Sequence, residues 1–191
     1  MTLQIKDWKY LIVTGTIIVS ILALQAQALF ADSISTGTNS RAKQVSAYTD
    51  LSSQPAQDIL WLARILYSET KVREEQIVIA WVVRNRVESE YRGADSYHEV
   101  ATDPKQFSGI KPASDLDYSD TKYKSWQDSI AIARAVYFAD ETLRPISASV
   151  RHFYSPEAVM KNPKWAIGKK PTLTLRDPDG SVRFAFYDSV R

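Results

Sequence analysis

Residues 56–69 read AQDILWLARILYSE, and the spacing of their apolar side chains decides the fold class. Ile59, Leu62, Ala63 and Leu66 recur at i, i+3, i+4 and i+7, so the segment predicts an amphipathic helix with one face anchored in a core. The helix ends on Glu69, flanked by Tyr67, Ser68 and Thr70. A carboxylate there sits at the rim of packed apolar structure. Partial burial and the negative end of the helix dipole both disfavour its ionised form, as a general acid requires. A solvated helix-end glutamate is the alternative reading, and this segment alone does not separate the two.

Outward from this helix, the pattern continues helical and then changes. Residues 73–90 predict a second helix with Ile77, Ala80, Trp81 and Val87 on one face, and with Glu74 and Glu75 at its positive N-terminal end. Residues 91–120 carry Gly93, Gly109, Pro104 and Pro112 among several Asp and Ser residues. They read as ordered loop with one short helix near 97–101. A third long helix is predicted over 121–140 from Trp126, Ile130, Ala133 and Tyr137. After Pro145 come β-like segments at 148–154 and 182–187, separated by Pro156, Pro163, Gly168, Pro171 and the turn Asp177-Pro178-Asp179-Gly180. Helices followed by a small C-terminal β-hairpin region imply an α+β domain with a mainly helical core.

The N-terminus sets lysines 6 and 9 before an apolar stretch at 11–24 and an A-x-A pattern at 26–28. This is an export signal, read either as a cleaved signal peptide over 1–28 or as a retained membrane anchor. Residues 29–55, rich in Ser, Thr, Gln and Asn, read as a flexible linker, and 56–191 as the folded domain. The expected location is the periplasm or cell envelope, with attachment to the inner membrane if the anchor is kept. The leader carries Lys6, Lys9 and Asp7, so without it 24 basic and 22 acidic residues become 22 and 21. That near-neutral balance argues against nucleic acid as a partner. With no cysteine, two histidines and no H-E-x-x-H pattern, no metal site and no cofactor are expected.

Other groups could line a cleft. Asn85 falls near the end of the second helix, where it could contact a ligand or merely brace a neighbouring loop. Gln106, Phe107 and Ser108 offer amide, aromatic and hydroxyl groups suited to sugar hydroxyls and a pyranose face. His152-Phe153-Tyr154-Ser155-Pro156, with Trp165 beyond, adds aromatic and polar groups that could equally be core. No G-x-S-x-G elbow supports a nucleophilic triad.

In this order the segments resemble the SleB/CwlJ-type cell wall hydrolases, the family of the spore cortex-lytic enzymes, over roughly 60–187. The resemblance rests on A-R-x-x-Y-x-E at 63–69, A-x-V-x-x-N-R-V at 80–87, Gln106-Phe107-Ser108, and F-Y-x-P at 153–156 with Trp165. It implies a compact domain akin to lysozymes and lytic transglycosylases that cleaves peptidoglycan glycan strands, with Glu69 as the essential acid. It also implies that Asn85, Gln106, Phe107, Ser108, Tyr154 and Trp165 hold substrate. One departure lies in the connection after Glu69, which is about two residues shorter than is common in the family, so a second family Glu falls on Glu74 or Glu75.

The expected reaction is cleavage between N-acetylmuramic acid and N-acetylglucosamine as a lytic transglycosylase with a single catalytic Glu. A hydrolytic muramidase, with a loop carboxylate such as Asp103 activating water, is the alternative. A non-catalytic peptidoglycan-binding module and a membrane-tethered interaction protein are the readings from other classes.

Overall fold

The computed structural model describes residues 50–188 apart from 105, 108, 111 and 112, so the leader, most of the linker and Ser108 lie outside the described residues. Four α-helices are present among the described residues: α1 (Gln54–Glu69), α2 (Arg73–Glu88), α3 (Tyr97–Thr102) and α4 (Lys124–Tyr137). Three strands follow, β1 (Val150–Tyr154), β2 (Leu173–Arg176) and β3 (Val182–Asp188). The fold is α+β and mainly helical, as the pattern predicts. None of the described helices is long and apolar enough to cross a membrane.

Helix α1 buries Ile59, Leu62, Ala63 and Leu66 completely, together with Ile65. It packs against α2, α3 and α4. Helix α2 differs from the expected one-sided helix. Val78, Ile79, Ala80, Trp81, Val82 and Val83 are all buried, while Ile77 and Val87 are only partly so. The cause is position, because α2 is covered by α1, α4 and β1 together, and a helix enclosed on several sides loses its polar face. It stops at Glu88, two residues early, where Ser89 Oγ turns back to the Asn85 carbonyl and Glu90 takes a left-handed φ of 47°. Helix α4 is likewise shorter than 121–140. Its Trp126 and Ala133 are fully buried, and the Trp126 Nε1 donates to the Asp117 carbonyl at 2.8 Å.

The sheet has the order β1-β3-β2, with both pairings antiparallel. Strand β2 was not expected. Leu173 and Leu175 pair opposite Phe186 and Phe184 and lean on the helical core, and the Asp177–Ser181 turn joins β2 to β3. Both faces of β3 are covered. Phe184 and Phe186 face the helices, whereas Ala185 and Tyr187 form a second cluster with Tyr154, Trp165 and Ala166. This explains four consecutive buried residues in a strand whose side chains alternate.

One side chain ties the helices at the end of α1. Gln76, in the first turn of α2 and 1% exposed, donates through Nε2 to the Thr70 carbonyl at 2.8 Å and to Ser129 Oγ of α4 at 2.8 Å, with the Leu66 carbonyl 3.4 Å away. It thus supplies a partner to the Thr70 carbonyl at the end of α1, where the helix offers none, beside the Leu66 carbonyl that already accepts the Thr70 amide. Thr70 is also hydrogen-bonded to Glu75. These bonds fix the residues on either side of Glu69.

Candidate active site

Glu69, the last residue of α1, opens into a cleft of about 670 Å³ lined also by Arg86, Tyr91, Arg92, Gln106, His152, Tyr154, Glu157, Trp165 and Arg183. That volume is in the range of small-molecule sites. Burial pushes the Glu69 carboxyl up to about 7, opposed by the nearby Arg86 cation. Among the described residues no hydrogen bond to the carboxylate offsets the burial.

Three of the residues expected in the cleft are there with Glu69. Gln106 comes from the loop after α3, Tyr154 from the end of β1 and Trp165 from a 3₁₀ turn. Tyr154 stacks on Tyr187 with ring centroids 5.9 Å apart, and Trp165 meets both tyrosines edge-on. The Tyr154 hydroxyl donates to Asn162 Oδ1 at 3.1 Å. The result is a braced aromatic wall with polar edges.

Two expected substrate contacts are corrected. Asn85 is 1% exposed, and its Nδ2 donates to the carbonyls of Ser147 and Val150 while Arg144 donates to its Oδ1. Its amide is used up in holding the β1 approach against α2, so it is a brace and not a cleft residue. Phe107 is buried in the core, packed 6.3 Å from Phe153 and beneath the Arg86 guanidinium. Ser108 lies outside the described residues.

The acidic candidates separate as clearly. Asp103 is engaged by Arg92 Nε at 2.9 Å and does not line the cleft. Glu74 is exposed, while Glu75 is buried against Thr70 and 2.9 Å from Nε of the cleft residue Arg183, behind the lining and not part of it. Glu157, which the sequence reading passed over, lines the cleft from an exposed turn.

Arg86 and Tyr91 were also missed as site residues, and His152, named only within an aromatic and polar stretch, lines the cleft as well. His152 is 7% exposed and shares a 2.7 Å hydrogen bond with the Tyr91 hydroxyl. Burial and the cations Arg86, Arg151, Lys169 and Arg92 bring its imidazole down to about 4. It is therefore neutral near pH 7 and supplies no proton there. Arg92 holds a left-handed backbone, φ 61°, which costs a non-glycine residue free energy and is typical of functional surroundings.

Comparison with protein families matches residues 71–176 to the family described as Cell Wall Hydrolase, more than half of the chain. The chain belongs to the cell wall hydrolase family. It is accordingly a peptidoglycan-acting hydrolase. The matched segment contains Arg86, Gln106, His152, Tyr154 and Trp165, and it begins two residues after Glu69. No curated protein and no solved structure matches this cell wall hydrolase.

Proposed function

We propose that this cell wall hydrolase cleaves the glycan strand between N-acetylmuramic acid and N-acetylglucosamine as a lytic transglycosylase, with Glu69 as the single catalytic acid and base. The observation that supports this is the placement of Glu69: a carboxyl that burial keeps protonated to about pH 7, opening into an aromatic cleft where His152 is neutral. Glu69 gives its proton to the glycosidic oxygen as the bond from that oxygen to muramic C1 breaks. The substrate's own acetamido oxygen stabilises the cationic centre at C1. The resulting Glu69 carboxylate removes the proton of the C6 hydroxyl as O6 bonds to C1, which yields a 1,6-anhydro sugar and returns the acid to its starting state. Tyr154 and Trp165 provide the face for a pyranose ring, and Gln106 an amide for its hydroxyls.

One observation favours a hydrolytic variant, namely the second cleft carboxylate at Glu157. Mass spectrometry of muropeptides released from purified sacculi separates the two. Anhydro-muramic ends support the transglycosylase, reducing ends carrying the mass of added water assign the enzyme to hydrolysis, and no released fragments count against both.

The enzyme is proposed to act outside the cytoplasm, on the strength of the basic, apolar and A-x-A pattern of residues 1–28. In an exporting host the mature chain is expected to begin near Leu29. N-terminal sequencing that recovers Met1 or Thr2 from membrane-bound material would replace the cleaved leader with an anchor.

A further inference from the structure

Arg86 presents a cation that the packing alone does not explain. It is 4% exposed, and its Nε donates to the Arg151 carbonyl at 2.7 Å, while its Nη1 is buried without a hydrogen-bond partner. The guanidinium carbon lies 5.2 Å from the Phe107 ring centre, 5.8 Å from Tyr91 and 6.0 Å from Phe153. These rings exclude water and offer only the weak attraction of their faces. No carboxylate forms an ion pair with Arg86 among the described residues, and Asp103 is committed to Arg92. A buried charge left in this state costs free energy. A neutral donor would serve equally well for the bond to β1, as neighbouring Asn85 demonstrates with its two bonds to the same region. The charge itself therefore needs a purpose; of the two carboxyl groups that line the cleft with it, Glu157 sits on an exposed turn, whereas Glu69 is held in the core's rim within the field of Arg86.

We propose that Arg86 is a positioning residue of the glycan-cleaving reaction, a fixed water-excluded cation that stabilises the Glu69 carboxylate formed when the proton passes to the leaving oxygen. The proposal rests on Glu69 being the acid. Burial alone favours the protonated carboxyl and resists its giving the proton away. The opposing cation brings the two forms into balance, which a group acting first as acid and then as base requires. The guanidinium is itself brought down by burial only to about 10, so it stays charged at neutral pH. The titratable and charged groups around it are Glu69 from α1, Tyr91 and Arg92 from the turn after α2, Asp103 from the following loop, and Arg151 and His152 from β1. With His152 neutral and Asp103 held by Arg92, Glu69 is the member of this group whose charge changes near pH 7.

The test uses the full chain labelled with ¹³C at glutamate side chains, so that the Glu69 carboxyl is titrated by NMR without reference to turnover. Replacing Arg86 by Met keeps the length and the aromatic contacts without the charge. Replacing it by Gln also keeps a donor for Arg151. In either variant the Glu69 midpoint should rise by about one pH unit or more, and cleavage of sacculi at neutral pH should fall about tenfold or more. Arg86→Lys should recover most of both, because a purely structural arginine would not be rescued by charge. An unmoved Glu69 midpoint in a folded Met or Gln variant overturns the proposal. So does a Lys variant that titrates like the neutral ones. Failure of the underlying reading is distinct: Glu69→Gln would then keep its turnover whatever the Arg86 variants do to the titration.

Discussion

Replacing Glu69 by Gln should abolish cleavage of sacculi to within the residual rate of the remaining cleft, a loss of about 10²- to 10⁴-fold, the usual worth of general acid catalysis. Glutamine preserves the size and polarity of the side chain but has no proton to give. In the unsubstituted enzyme, cleavage should fall as pH rises through about 7, where the buried carboxyl loses its proton. Stability should move with it in a defined direction. The unfolded carboxyl ionises near 4.5, while the folded one holds its proton to about 7. Between these values the folded state binds more protons, so this group's contribution to stability declines as pH rises from 4.5 to 7 and is level above. Glu69→Gln removes that decline and should raise stability at pH 8 by up to about 3 kcal/mol. A variant with full turnover and an unchanged melting curve would return Glu69 to the solvated helix-end residue that its sequence position also allowed.

Trp126→Ala should produce the largest loss of stability, about 3 to 5 kcal/mol, which is a large part of the 5 to 15 kcal/mol typical of a domain. Trp126 is fully buried, meets Tyr67 of α1 edge-on at 5.7 Å, and ties the preceding loop through its bond to the Asp117 carbonyl. Truncation leaves a cavity between α1 and α4 and removes the tie to the preceding loop, whose Asp117 carbonyl keeps only the Asp120 amide. Trp126→Phe keeps most of the volume and should lose about half as much. Urea unfolding of the three proteins measures the ordering, and equal midpoints for all three would remove Trp126 from the core's main supports.

The helical part of the fold was legible because its apolar spacing repeats over several turns, as at Ile59, Leu62, Ala63 and Leu66. The reading was weaker where tertiary surroundings override spacing. Helix α2 is enclosed on several sides, so no single stripe marks its buried face. Helix α4 ends at Tyr137 because the Ala139 amide bonds to the Val136 carbonyl in a tighter turn. Strand β2 has four residues and is defined by its pairing with β3 more than by its own composition. The placement of Glu69 at the rim of the core was legible from its helical frame. The orientation of the Asn85 and Phe107 side chains was not, since an amide or a ring near a cleft can point inward or outward without altering the local pattern. Arg86 and His152 stood in quoted segments, but nothing local in either segment tied the two together. They are 66 residues apart in sequence and meet only once α2 and β1 are packed.

The single carboxamide of Gln76 joins the last turn of α1, the first turn of α2 and the middle of α4. Its most distant partner, Ser129, lies 53 residues further along the chain. The carboxyl proposed to perform the cleavage thus follows a junction that cannot form from any one helix, or from α1 and α2 without α4. A chain caught part-way through synthesis or unfolding possesses Glu69 but not the burial that raises its carboxyl to about 7. On the proposed mechanism, lytic capability would arise only with the complete domain, a useful property in an enzyme whose substrate is the wall that holds a cell intact.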